Sequence, residues 1–144
     1  MNNTTATLVL ALACGIVIGA LGNRAASAQK NTVSRVELIN ADLVECSGKE
    51  TRLYTAEIGP GVITPRHRHP GHYFSYVIEG SGVLDEDGKS ERSLNPGDAY
   101  YIHATADMPA SWHSVWNTSK SQPLRTLSFL ITDKGVPGTV FEKR

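Results

Sequence analysis

Turn residues recur so closely along the middle of this chain that no helix of ordinary length fits between them. Gly59-Pro60-Gly61, Pro70-Gly71, Gly80-Ser81-Gly82, Asp85-Glu86-Asp87-Gly88 and Asn95-Pro96-Gly97-Asp98 punctuate the sequence, each within about ten residues of the next. The runs between them are rich in β-branched and aromatic residues. Thr51–Ile58 alternates polar and apolar, Tyr73–Glu79 is aromatic and β-branched, and Leu124–Thr132 is a long apolar run. Further short strands are expected at Val62–His69, Val83-Leu84, Ser90–Leu94, Ala99–Ile102 and His113–Asn117. After Gln29 no segment of about ten residues keeps a helical period. The predicted fold class is all-β, a sandwich or barrel of short strands.

Two acidic or weakly patterned stretches are read structurally. The Asp85–Gly88 cluster is a solvated hairpin turn, because it is too short for a calcium loop and lacks that loop's terminal Glu. Val33–Val44 is expected to hold one strand and a turn at Asn40-Ala41-Asp42.

The first residues follow a different rule. Ala6 to Gly22 is almost wholly apolar or small, no charge precedes Arg24, and Ala26-Ser27-Ala28 has the small-x-small pattern of a signal-peptidase site. Residues 1–28 are therefore read as a signal peptide, 29–50 as an N-terminal lead-in and 51–144 as the barrel. The expected location is exported, periplasmic or secreted, with no membrane contact once the signal is cleaved. The alternative is an uncleaved membrane anchor over residues 6–22, since Met1–Thr5 carries no Lys or Arg. Cys14 falls in this segment, which leaves Cys46 alone in the mature chain and excludes an intramolecular disulfide. Cys46 is read as a small core residue. The chain has 14 Lys plus Arg against 14 Asp plus Glu and no basic block, which argues against a nucleic-acid partner.

Chemistry is concentrated between Gly61 and Gly80. His67 and His69 alternate on an expected strand, so both point the same way, and His72 follows the Pro70-Gly71 turn. Two neutral imidazoles one pleat apart form half of a metal site. His113 is the candidate that would complete it from elsewhere in the chain.

This stretch resembles the first signature of the cupin superfamily, small jelly-roll β-barrels. Gly61, His67, His69 and Gly80 occupy its places, with Tyr73 where a Glu is expected. Asn95-Pro96-Gly97-Asp98 followed by His113-Ser-Val-Trp-Asn117 resembles the second signature. The resemblance spans about residues 51–132. It implies a double-stranded β-helix holding one divalent transition metal on His67, His69 and His113. Imidazole ligands suit Fe, Ni, Cu, Zn or Mn better than Mg or Ca.

The missing Glu leaves three outcomes. The site is a three-histidine centre, as in the thiol dioxygenases of the same superfamily; or His72 becomes a fourth ligand; or Tyr73 binds through its phenolate. One strand cannot turn both His72 and Tyr73 inward. The three-histidine form is the expectation, with Tyr73 and His72 as candidates for proton handling. The implied function is an exported metal-binding cupin, a mononuclear-metal dioxygenase or related small-molecule enzyme. The alternative is a non-catalytic small-ligand-binding or sensor cupin. A small-molecule ligand or substrate is the expected partner, and the family's habit of pairing implies a homodimer. The His103–Trp112 loop exceeds the usual length, and Met108 and Trp112 would make it a lid. Trp112, Trp116, Tyr76 and Tyr101 are read as core and pocket lining, Glu79 as structural, His103 as a loop histidine. Arg66 and Arg68 are placed on the face opposite the ligands.

Overall fold

The computed structural model describes residues 32–104 and 109–143. In chain order its strands are β1 (Val33–Asp42), β2 (Lys49–Ile58), β3 (His67–Arg68), β4 (His72–Glu79), β5 (Gly82–Glu86), β6 (Arg92–Leu94), β7 (Ala99–His103), β8 (His113–Asn117), β9 (Leu124–Asp133) and β10 (Val140–Phe141). No helix occurs among the described residues. The strands form two antiparallel five-stranded sheets, one ordered β1-β2-β9-β4-β7 and the other β10-β3-β8-β5-β6. This is the all-β jelly-roll barrel expected from the turn spacing and the two signatures.

Alternation decides which side chains fill the barrel. On β4, Tyr73, Ser75 and Val77 are buried while His72, Phe74 and Tyr76 are exposed. On β9, Leu124, Thr126, Ser128, Leu130 and Thr132 are all buried. Burying each large aliphatic side chain, such as Leu84, Leu94, Leu124 or Leu130, contributes about 1.5–3 kcal/mol. The same inner face also carries hydroxyls. Ser128 Oγ lies 3.0 Å from the Tyr73 hydroxyl and 3.2 Å from Ser75 Oγ, so that part of the interior is polar and satisfied.

The lead-in departs most from expectation. β1 runs unbroken through Asn40–Asp42 and pairs with β2 from Val33↔Ile58 to Asp42↔Glu50. Almost all its side chains are exposed, so backbone pairing holds it in place. The turn comes later, where Cys46 N–H donates to the Leu43 carbonyl and Lys49 N–H to the Cys46 carbonyl. That places Cys46 on the surface, not in the core. The expected Val62–His69 strand is also broken. It survives as an Ile63↔Trp116 bridge and the short β3, because Pro65 between them has no N–H to give the ladder.

Tyr76, Tyr101 and Trp116 are exposed, not core, each at the outward position of its strand. Trp112 is half-buried with the Arg68 guanidinium 4.7 Å above its ring. The signal segment 1–28, the alternative anchor 6–22 and Met108 of the expected lid lie outside the described residues.

Gly71 makes the bend that joins β3 to β4. Its φ of 134° is one that L side chains rarely adopt, and a Cβ there would collide with the Ile131 carbonyl oxygen. The bend brings His69 on one side and Tyr73 on the other into the same interior.

Candidate metal centre

Three imidazoles converge where β3 meets β8. His67 and His113 are directly opposite in the antiparallel register, with ring centroids 4.3 Å apart. His69 follows β3 by one residue, its ring 5.1 Å from His67 and 5.3 Å from His113. One nitrogen from each ring lies within 4.8 Å of the others. Among the described residues no Cys, Asp or Glu joins this cluster.

The second nitrogen of each ring is held by backbone. His67 Nδ1 lies 2.7 Å from the Pro65 carbonyl, His69 Nδ1 2.7 Å from the Gly138 carbonyl, and His113 Nδ1 3.3 Å from the Ser111 carbonyl. A carbonyl oxygen can only accept, so each Nδ1 carries the proton and each Nε2 keeps a lone pair. The Nε2 of His69 is buried and has no hydrogen-bond partner. Such an orphan in a native interior calls for a ligand, and three Nε2 lone pairs fit a divalent transition metal. Burial also keeps the rings neutral. It holds His69 down to about 2 and His113 to about 4, and it lowers His67 as well.

Tyr73 and His72 separate by strand parity. Tyr73 faces inward, its ring stacked on His69 at 3.8 Å and its hydroxyl turned to Ser128. It braces the His69 ring as a wall of the site. His72 is exposed on the outer face, with Nδ1 2.5 Å from the Tyr101 hydroxyl, and it does not join the cluster. His103 ends β7 in the same outer row, its ring 5.0 Å from that of Tyr101. Arg66 points away from the cluster as expected and meets Asp85, Asp87 and Glu142. Glu79 pairs with Arg125 at 2.8 Å.

Several contributors carried no signal that sequence reasoning used. Gly138 acts through a backbone carbonyl far along the chain. Its segment is tied down by Arg52, which donates to the Val136 carbonyl at 3.0 Å. Phe141 on β10 pairs with His67. Glu86, read from sequence as part of a solvated turn, is buried directly opposite His113, and Lys89 Nζ meets its charge at 2.8 Å.

Two of the three imidazoles, His67 and His69, line a cavity of about 440 Å³ together with Tyr54, Tyr73, Tyr100 and Val115, and His113 stands behind them outside its lining. That volume is ample for a small organic molecule. A larger recess of about 810 Å³ lies between Leu43–Lys49 and Ile131–Val136 and holds none of the three imidazoles. The chemistry sits in the smaller one.

Comparison with known proteins agrees on the architecture. The family profile described as the cupin domain matches residues 54–130. No curated protein sequence matches the chain. A cupin-like protein from Thermotoga maritima superposes with a TM-score of 0.57 at 24% identity, covering 76% of this chain and 75% of that one. A cupin 2 domain-containing protein from Halorhodospira halophila gives 0.56 at 24% identity, over 79% of this chain and 72% of that one. The DMSP lyase DddQ from Ruegeria pomeroyi gives 0.59 at 20% identity, over 81% of this chain and 54% of that one. At these identities the structural likeness concerns the fold.

Proposed function

The chain belongs to the cupin family, and on that premise we propose that it is an exported metalloprotein acting on a small organic molecule as a dioxygenase-type oxidoreductase. One divalent transition metal is held by the Nε2 atoms of His67, His69 and His113. The observation that carries this reading is the buried, partnerless Nε2 of His69 beside two rings locked in the same tautomer. When bound, the metal supplies a Lewis acid with open positions beyond the three imidazoles. The carbonyls of Pro65, Gly138 and Ser111 hold the rings, so little reorganisation accompanies binding. Tyr73 fixes the plane of His69, and its hydroxyl, bonded to Ser128, is the candidate for moving a proton. His72, on the outer face, has no such role.

The test is reconstitution of the tag-free chain Gln29–Arg144 with Fe, Ni, Cu, Zn or Mn. Elemental analysis is run beside His67→Ala and His113→Ala, followed by oxygen-uptake assays with a small-molecule panel. Near-stoichiometric metal lost in both variants, with uptake dependent on metal and substrate, is the expected result. Metal retention in both variants would sink the ligand assignment. Metal binding without oxygen uptake on any substrate would leave a binding cupin in place of the enzyme.

A further inference from the structure

The cavity beside the three imidazoles is short of negative charge. Among the described residues no Asp or Glu lines it, and Arg35, at its mouth, is the one Lys or Arg that does. Arg35 is carried by β1, opposite Ala56 in the register, which aims it across the cavity wall formed by β2. Its guanidinium lies 4.1 Å over the ring of Tyr54, and one of its N–H groups donates to Thr139 Oγ1 at 3.0 Å. Among the described residues no carboxylate pairs with it, although Arg52, Arg66 and Arg125 all have acidic partners.

A second observation points at a ligand. The hydroxyl of Tyr54, which is 2% exposed and lines the same cavity, has only the Tyr73 hydroxyl as a neighbour and makes no hydrogen bond of good geometry. A buried donor with no well-aligned acceptor is costly. Here it lies in the wall that Arg35 covers. β1 lines this cavity with Val33, Ser34 and Arg35, and the guanidinium is the one charged group among them.

We propose that Arg35 is the specificity-determining residue of this cavity, and that the cavity takes small organic carboxylates. The carboxylate is received by the guanidinium at the mouth, and the apolar body lies against Ile58, Val115 and Tyr100. This rests on the metal reading above, because a divalent ion on three neutral imidazoles adds positive charge to a cavity whose described lining carries no carboxylate, Glu86 behind His113 being already paired with Lys89. A planar guanidinium held by a stacked ring and one hydrogen bond keeps other N–H groups for a carboxylate, a geometry Lys cannot copy.

The experiment titrates acetate, butyrate and benzoate, each against its primary amide, into wild type, Arg35→Gln and Arg35→Lys. Calorimetry reads affinity, and the visible spectrum of cobalt-loaded protein reads the metal. In wild type at least one carboxylate should bind about tenfold or more tighter than its amide. Arg35→Gln should abolish that preference with cobalt uptake and thermal midpoint unchanged, and Arg35→Lys should restore only part of it. Equal binding of acids and amides, binding of neither, or a preference that survives Arg35→Gln overturns the proposal. A wild type that takes up no cobalt overturns the metal reading instead. The same titrations on that metal-free protein still decide the role of Arg35.

Discussion

Lowering the pH should cost the metal-free protein stability through His69 and His113. In an unfolded chain an imidazole titrates near 6.5, whereas burial holds these two at about 2 and about 4 in the fold. Above 6.5 neither state carries the protons and stability is flat. Below it the unfolded chain takes them up and the folded chain does not, so stability falls with pH. The loss from His113 levels off near 4 and that from His69 near 2. At pH 5 each site costs about 2 kcal/mol relative to pH 7.5, about 4 kcal/mol for the pair. The assay is urea denaturation of chelator-treated protein at both pH values, for wild type and for the double variant His69→Phe, His113→Phe. The variant removes both titrations and should lose about 4 kcal/mol less between the two pH values. Equal losses in the two proteins would refute the claim that these imidazoles are buried and neutral.

Other outcomes follow from the same geometry. His72→Ala should leave metal content and ligand binding unchanged, as measured by elemental analysis and calorimetry, because His72 lies on the outer face with Tyr101. Gly71→Ala should lower the thermal midpoint, since a Cβ there meets the Ile131 carbonyl and the strained backbone costs about 1–3 kcal/mol; an unchanged midpoint would contradict the bend described. Tyr73→Phe should cost only about 1 kcal/mol in urea denaturation, because Ser128 keeps Ser75 within 3.2 Å as a partner. The full chain, expressed in a bacterium with a periplasm, should be recovered there beginning at Gln29 by intact mass; retention of Met1 would favour the anchor.

The parts of the fold that sequence exposed were those where one face is buried and the other wet. β4 and β9 alternate cleanly, and the Gly- and Pro-bearing turns bound most strands where expected. β1 was illegible as a full strand because neither of its faces is covered, so no periodicity marks it. Parity also misled for the aromatics. Tyr76 and Tyr101 sit on strands whose alternation is plain, but alternation alone does not say which face is inside.

The site was legible to the extent that it is local. His67 and His69 share a face by spacing, and His113 came with the second signature. Arg35, Tyr54 and the Gly138 carbonyl reach the same cavity from β1, β2 and the segment before β10. Their contribution depends on sheet order, and a backbone carbonyl leaves no mark in a sequence.

The three-histidine metal centre is tested most directly by anomalous diffraction from crystals of the metal-loaded protein at the absorption edge of the bound metal. One peak per chain is expected, about 2.0–2.1 Å from the Nε2 atoms of His67, His69 and His113, with no side-chain carboxylate coordinated. A peak ligated by His72, or held elsewhere with these three Nε2 atoms free, would contradict it.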